Sequence, residues 1–300
     1  MSNAIEPTAA ARLPELAVLH VTGTDARTFL QGQLSADLNE VTAVQGRLAC
    51  LNSAQGRVQA IAWLVAREDD LLMTVPAQLV PRILERLRRY VLRAKVTIDD
   101  ARERWACFAA SSASLEIVAP GARTPDRAAG STFQRDTAIV LRVATDEDRY
   151  LVIGPAQEPD SSVGPDGSAV WRLAEIRAGH PQVYEATWEA FVAQMLNLDL
   201  LGAISFTKGC YTGQEIIARA HYRGAVKRRM VRLATAGAVP APGTRILAGD
   251  AHAGEVVDAA ATATGVELLG VVALARMAEP LVLEDGPALE RLPLPYGSSD

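Results

Sequence analysis

Cysteine is scarce in this chain, and its scarcity settles several questions at once. The three that occur among 300 residues, Cys50, Cys107 and Cys210, are odd in number, lie far apart and form neither a CxxC pair nor a CxxH. That excludes a disulfide framework and any zinc or iron–sulfur site held by cysteines of this chain alone, and it makes a reducing compartment the simplest setting. Long apolar runs are missing as well. No stretch approaches the roughly 20 apolar residues of a membrane span, and the start, MSNAIEPTAA, has no basic segment leading into an apolar one. A cytoplasmic protein with no membrane partner is expected. Positive charge is in deficit, with 30 Lys and Arg against 35 Asp and Glu for a net charge of −5, which counts against bulk nucleic-acid binding and leaves room for a local basic patch. What is present is an ordinary folding composition, 49% hydrophobic and 22% charged, in a chain long enough for about two domains.

The segment LAVLHVTGTDARTFLQGQLSADL reads as a strand ending at Thr22-Gly23, then a helix with Thr24 or Asp25 as its cap. GRLACLN and VQAIAWLV, joined by SAQG, read as a hairpin in which Gly56 supplies the positive φ of the turn. After a short strand, LLMTV, the run PAQLVPRILERLRRYVL places Ile83, Leu84, Leu87 and Val91 on one helical face and Arg82, Arg86, Arg89 and Arg93 on another. That arginine stripe is either a solvated face or a surface for anions or RNA. From Trp105 to Ile153 short apolar runs alternate with breaker-rich pieces, as in a second α/β unit, and Pro155 to Ser168 has the composition of a linker. AVWRLAEIRAG is a helix with Gly179 as C-cap. After Arg229, short strands separated by Gly and Pro turns predict a small all-β module, sandwich or barrel.

The segment KGCYTGQEIIARAHYRG sets a thiol between Gly209 and Gly213 and then winds into a helix. Glycine lets the backbone turn sharply or approach a ligand closely. A helix beginning near Thr212 puts Cys210 close to its positive end, with Lys208 two residues away, and both influences favour thiolate over thiol. Thr212 and Glu215 fit a capping box. The competing reading is a small residue packed beneath a turn, which is the natural reading of Cys50 and Cys107 within their apolar strands. A Cys–His protease pairing with His180 or His221 has no local signature behind it.

Residues 202–229, GAISFTKGCYTGQEIIARAHYRGAVKRR, closely resemble the signature segment of the YgfZ family of folate-binding proteins, relatives of the aminomethyltransferase (T-protein) of the glycine cleavage system. VTGTDARTFLQGQLSADL, CLNSAQGRV, RRYVLRAKVTI and WRLAEIRAGHP occur in the family's order. The resemblance implies an α+β protein, a T-protein-like three-domain ring with two α/β domains of mostly antiparallel sheet and a C-terminal β-barrel. Residues 1–104 plus about 169–228 would form the folate-binding core, 105–168 a second unit ending in a linker, and 229–300 the barrel. It implies tetrahydrofolate or a one-carbon derivative in the central hole, faced by Cys210. The implied function is that of an accessory factor for assembly or repair of iron–sulfur enzymes that indirectly supports tRNA thiomethylation, with an iron–sulfur client or assembly protein as partner. A folate-dependent one-carbon transferase and a folate-stabilised scaffold binding RNA or protein are the alternatives, and the sequence carries no independent sign of direct tRNA contact.

Carried over residue by residue, Trp171 lines the folate site, Cys210 is the reactive or transient-ligand thiol held by Lys208, Gly209 and Gly213, and Tyr211, Thr212, Gln214 and Glu215 set the loop. Glu175 and Arg223 are further candidates for the folate, through its pterin donors and its anionic tail. No metal site of the chain's own is expected. Two departures stand out. Relatives commonly have glutamate where this chain has Arg177, and a guanidinium cannot accept the pterin's hydrogen bonds. The region matching the T-protein's catalytic aspartate, LLMTVPAQLVPRILERL, contains no aspartate, so aminomethyltransferase chemistry is not expected.

Overall fold

The strands of the first sheet carry buried side chains on both faces, so two layers must cover it. The computed structural model describes residues 10–145, 147–157, 163–222, 224 and 226–297. A two-residue strand, β1 (Ala11–Arg12), precedes β2 (Leu16–Thr22), α1 (Ala26–Gln33), β3 (Arg47–Asn52), β4 (Val58–Arg67), β5 (Asp70–Pro76), α2 (Val80–Arg88) and β6 (Thr97–Asp100). The first sheet has the order β3-β4-β5-β2-β6. Because side chains alternate along a strand, Leu19, Val21, Leu71 and Met73 pack with Leu30, Ile83 and Leu87 of the two helices. The intervening Val18, Val65 and Leu72 face the opposite way, onto the second sheet.

That sheet is built from β7 (Trp105–Ala110), β8 (Thr132–Arg135), β9 (Ala138–Arg142) and β10 (Tyr150–Pro155), in the order β1-β7-β10-β9-β8. Its helical part is a single turn, α3 (Leu115–Val118), so the expected α/β unit is nearly all strand. The described part of the linker docks back on β1, with the Arg12 N–H donating to the Gly164 carbonyl at 2.9 Å. Next come α4 (Ser168–Ala178), closed by Gly179 at φ 70°, and α5 (Gln214–Tyr222). Strands β11 (Arg228–Thr235), β12 (Arg245–Ala248), β13 (Ala251–Ala261), β14 (Val266–Ala273), β15 (Leu281–Leu283) and β16 (Ala288–Leu292) then close the barrel β11-β14-β13-β12-β15-β16. Every pairing between these named strands is antiparallel.

Two local expectations are corrected. The helix expected to reach Val91 stops at Arg88, and the chain reverses through Leu92 at φ 41°. Asp25 stands at the N-cap of α1 without capping it, because its carboxylate accepts the Lys95 N–H at 2.7 Å instead. The hairpin over β3 and β4 turns at Gly56, φ 68°, as its sequence requires. Among the described residues no helix is long and apolar enough to cross a membrane.

Candidate functional site

The three sheets do not close on one another completely. Where they meet, an open cleft of about 810 Å³, its mouth included, is walled by Leu48, Trp63 and Thr74 of the first sheet, Leu151 of the second, Trp171, Arg172 and Glu175 of α4, and Asp258 of the barrel. Helix α4 positions three of these groups because residues one turn apart share a face. Trp171 is wedged into the core between the sheets, and the Arg149 guanidinium lies over its ring at 4.8 Å.

The same Arg149 donates to Glu175 and, at 2.7 Å, to Glu147, while His180 stands 3.3 Å from Glu175. Burial alone would raise the Glu175 carboxyl, but Arg149 and His180 outweigh it and hold it down to about 2. It is therefore a carboxylate at any physiological pH. Arg177 is absent from the cleft wall. It reaches the barrel, where Glu267 accepts from its Nη2 at 2.8 Å and from Arg232 at 2.7 Å.

Cys210 lies elsewhere. It is exposed and is not among the residues that wall the cleft. Its loop is held by main-chain geometry. The Lys208 ammonium is buried and donates to the carbonyls of Gln31, Leu34 and Ala36 at 2.7, 2.8 and 2.7 Å, so it closes the C-terminal end of α1, where carbonyls lack partners. Burial lowers this amine to about 8. Tyr211 is buried beside Cys50, its hydroxyl without a partner. The Thr212 N–H donates to the Gly32 carbonyl at 3.1 Å.

Gly213 has φ 83°, and a Cβ there would stand 2.6 Å from the Ser53 carbonyl oxygen, so the loop rests directly on the β3–β4 turn. Helix α5 starts at Gln214, one residue later than a Thr212 capping box requires, and Glu215 is exposed in its first turn. Among the described residues no hydrogen bond links Cys210 to a histidine; His180 lines the cleft and His221 stacks on Phe206 at 3.8 Å.

Comparison with known proteins settles what kind of chain carries these two regions. The tRNA-modifying protein YgfZ of Edwardsiella ictaluri (strain 93-146) is 35% identical over 228 residues, 73% of this chain and 69% of that one. The tRNA-modifying protein YgfZ of Yersinia pestis (strain Pestoides F) is 31% identical over 239 residues, 77% and 72% of the two chains. This chain belongs to the YgfZ family. No family model matches it. Among solved structures, the glycine cleavage system aminomethyltransferase T from Bartonella henselae superposes with a TM-score of 0.74 over 96% of this chain and 86% of that one, at 16% identity, so the fold is shared.

In this YgfZ-family chain the basic residues after α5 are largely engaged. Arg229 pairs with Asp199 through both guanidinium nitrogens at 2.6 and 2.9 Å, and Arg228 reaches Glu255 at 3.4 Å. Arg223 lies outside the described residues. Of the α2 arginines, Arg82 lies over the Trp188 ring at 4.2 Å and Arg86 over Tyr90 at 3.9 Å. Sequence reasoning missed Glu15, Arg172, His180, Tyr184 and Asp258, all in the cleft wall. One signal was legible: Asp258 interrupts the apolar run VVDAAA, and a lone acid in such a run is anomalous unless it has a buried task.

Proposed function

We propose that this chain binds a reduced folate in the central cleft and acts, through Cys210, as an accessory factor for an iron–sulfur enzyme, supporting tRNA modification. The observation that carries the reading is the cleft, where an aromatic ring, carboxylates and a guanidinium converge. The residues fit the vitamin: Trp171 offers apolar ring surface, Glu175 Oε2 has no hydrogen-bond partner among the described contacts and is free to accept, and Arg172 has a buried Nε without a partner that suits an acceptor on the ligand. A reduced folate supplies a one-carbon carrier when bound. The name shared by the relatives supports the link to tRNA modification.

An exposed lone cysteine takes one coordination position of a cluster in transit, giving up its proton on ligation, while the client or an assembly protein supplies the other ligands. Work in the reducing cytoplasm suits a chain whose three cysteines are all free. Aminomethyl transfer is not part of the proposal, because the segment from Leu71 through α2 offers no aspartate.

The test separates the two regions. Calorimetric titration with tetrahydrofolate should show binding by wild type and by Cys210→Ala, and weaker binding by Trp171→Ala. Cys210→Ala should fail to restore thiomethylated tRNA in cells lacking their own family member. Full restoration removes the role of the thiol, and absence of tetrahydrofolate binding by wild type removes the role of the cleft.

A further inference from the structure

Strand β13 lays one face on the barrel interior and the other on α4 and the first sheet. Val256 and Ala259 lie in the barrel core, whereas Val257 and Ala260 join the core under α4. Strict alternation would send residue 258 inward with 256. The pairing with β14 slips between Val256 and Asp258, so that Val256 opposes Gly270 and Asp258 opposes Leu269. The extra residue is a β-bulge, a device that re-aims a side chain. Its effect is that Val257 and Asp258 both leave the barrel core, and Asp258 arrives in the cleft wall.

The acid arrives with spare capacity. Tyr184 Oη donates to Oδ2 at 2.7 Å and the Ala259 N–H to Oδ1 at 2.9 Å, two of about four positions at which a carboxylate accepts. Arg172 Nε is 3.8 Å from Oδ1, too far for a hydrogen bond, and is buried without a partner. Its Nη2 is taken by Glu15 at 2.7 Å. An acceptor and a donor, each unfinished, therefore stand side by side in the wall of the cleft.

We propose that Asp258 is the carboxylate that accepts the N3–H and 2-amino donors of the pterin, with Arg172 Nε donating to the neighbouring O4. The assignment rests on the folate reading above. It supplies from the barrel the acceptor that the chain lacks at position 177, where Arg177 is committed to Glu267.

Asp258 and Glu175 are distinguishable by proton exchange. Burial raises the Asp258 carboxyl to about 7, against the pull of Tyr184 and Arg172 and with Glu15 reinforcing it. Two ligand donors need the ionised form, so Asp258 must give its proton to buffer when the pterin binds, whereas Glu175 is already ionised. Calorimetry of the full chain with tetrahydrofolate at pH 6.5, in buffers of different ionisation enthalpy, should show net proton release on binding. Asp258→Asn should abolish the release and weaken binding about 10- to 100-fold. Glu175→Gln should keep the release. Wild-type binding without proton release, or wild-type affinity in Asp258→Asn, overturns the assignment while leaving a folate site in place. Failure of wild type to bind tetrahydrofolate removes the folate reading and this inference together.

Discussion

Lys208 shows how far a residue's neighbours in sequence can mislead about its neighbours in space. Two positions from a thiol it reads as an activator, yet its three N–H bonds all go to carbonyls at the end of α1. Lys208→Met should therefore cost stability, about 3 kcal/mol for a buried charged donor set, read as a lower denaturation midpoint. Alkylation of Cys210 by iodoacetamide should proceed at an unchanged rate. A fall of about tenfold, the effect of one pK unit, would restore the activating role. Residues whose partners are local were legible in the sequence: Gly56 in its turn and Gly179 at the end of α4 took the positive φ assigned to them. Lys208 and Asp258 were not, because their partners come from distant elements.

Elements were readable where a periodic pattern met a recognisable stop. The β3–β4 hairpin, α4 and the strand-rich tail all have Gly or Pro boundaries. Helix α2 has none at its true end, since Leu92 takes a left-handed conformation with no sequence signature, and the apolar spacing carried the expectation on to Val91. The bulge in β13 is equally silent, being fixed by packing on both faces of the strand. The Cys210 loop gives a paired test of element geometry. Gly213→Ala, strained at φ 83° and pressed on the Ser53 carbonyl, should lose about 2 kcal/mol. Gly209→Ala, whose added methyl meets nothing within 4 Å, should change thermal stability by no more than about 0.5 kcal/mol. Equal losses would mean that the loop is held by something other than its contact with the hairpin.

At the scale of the whole molecule, α4 is the bracket between sheets and barrel. Trp171 sits in one core, Ile176 in another, and Arg177 shares Glu267 with Arg232. Arg177→Glu would set two carboxylates together at Glu267 and should lower the denaturant midpoint by the equivalent of about 2 kcal/mol or more. It should not improve affinity for tetrahydrofolate, because position 177 is turned to the barrel. Tighter binding in that variant would show that a carboxylate at position 177 reaches the cleft.

The cleft draws its wall from both extremities of the chain, Glu15 near the start and Asp258 on a late barrel strand, and Tyr296 closes the circuit by donating to the Gly179 carbonyl. During synthesis, then, the chain must emerge as far as Asp258 before the wall of the cleft is complete. Any molecule that bound there would stabilise only copies in which the barrel has already joined the sheets, and would leave half-folded copies without that protection.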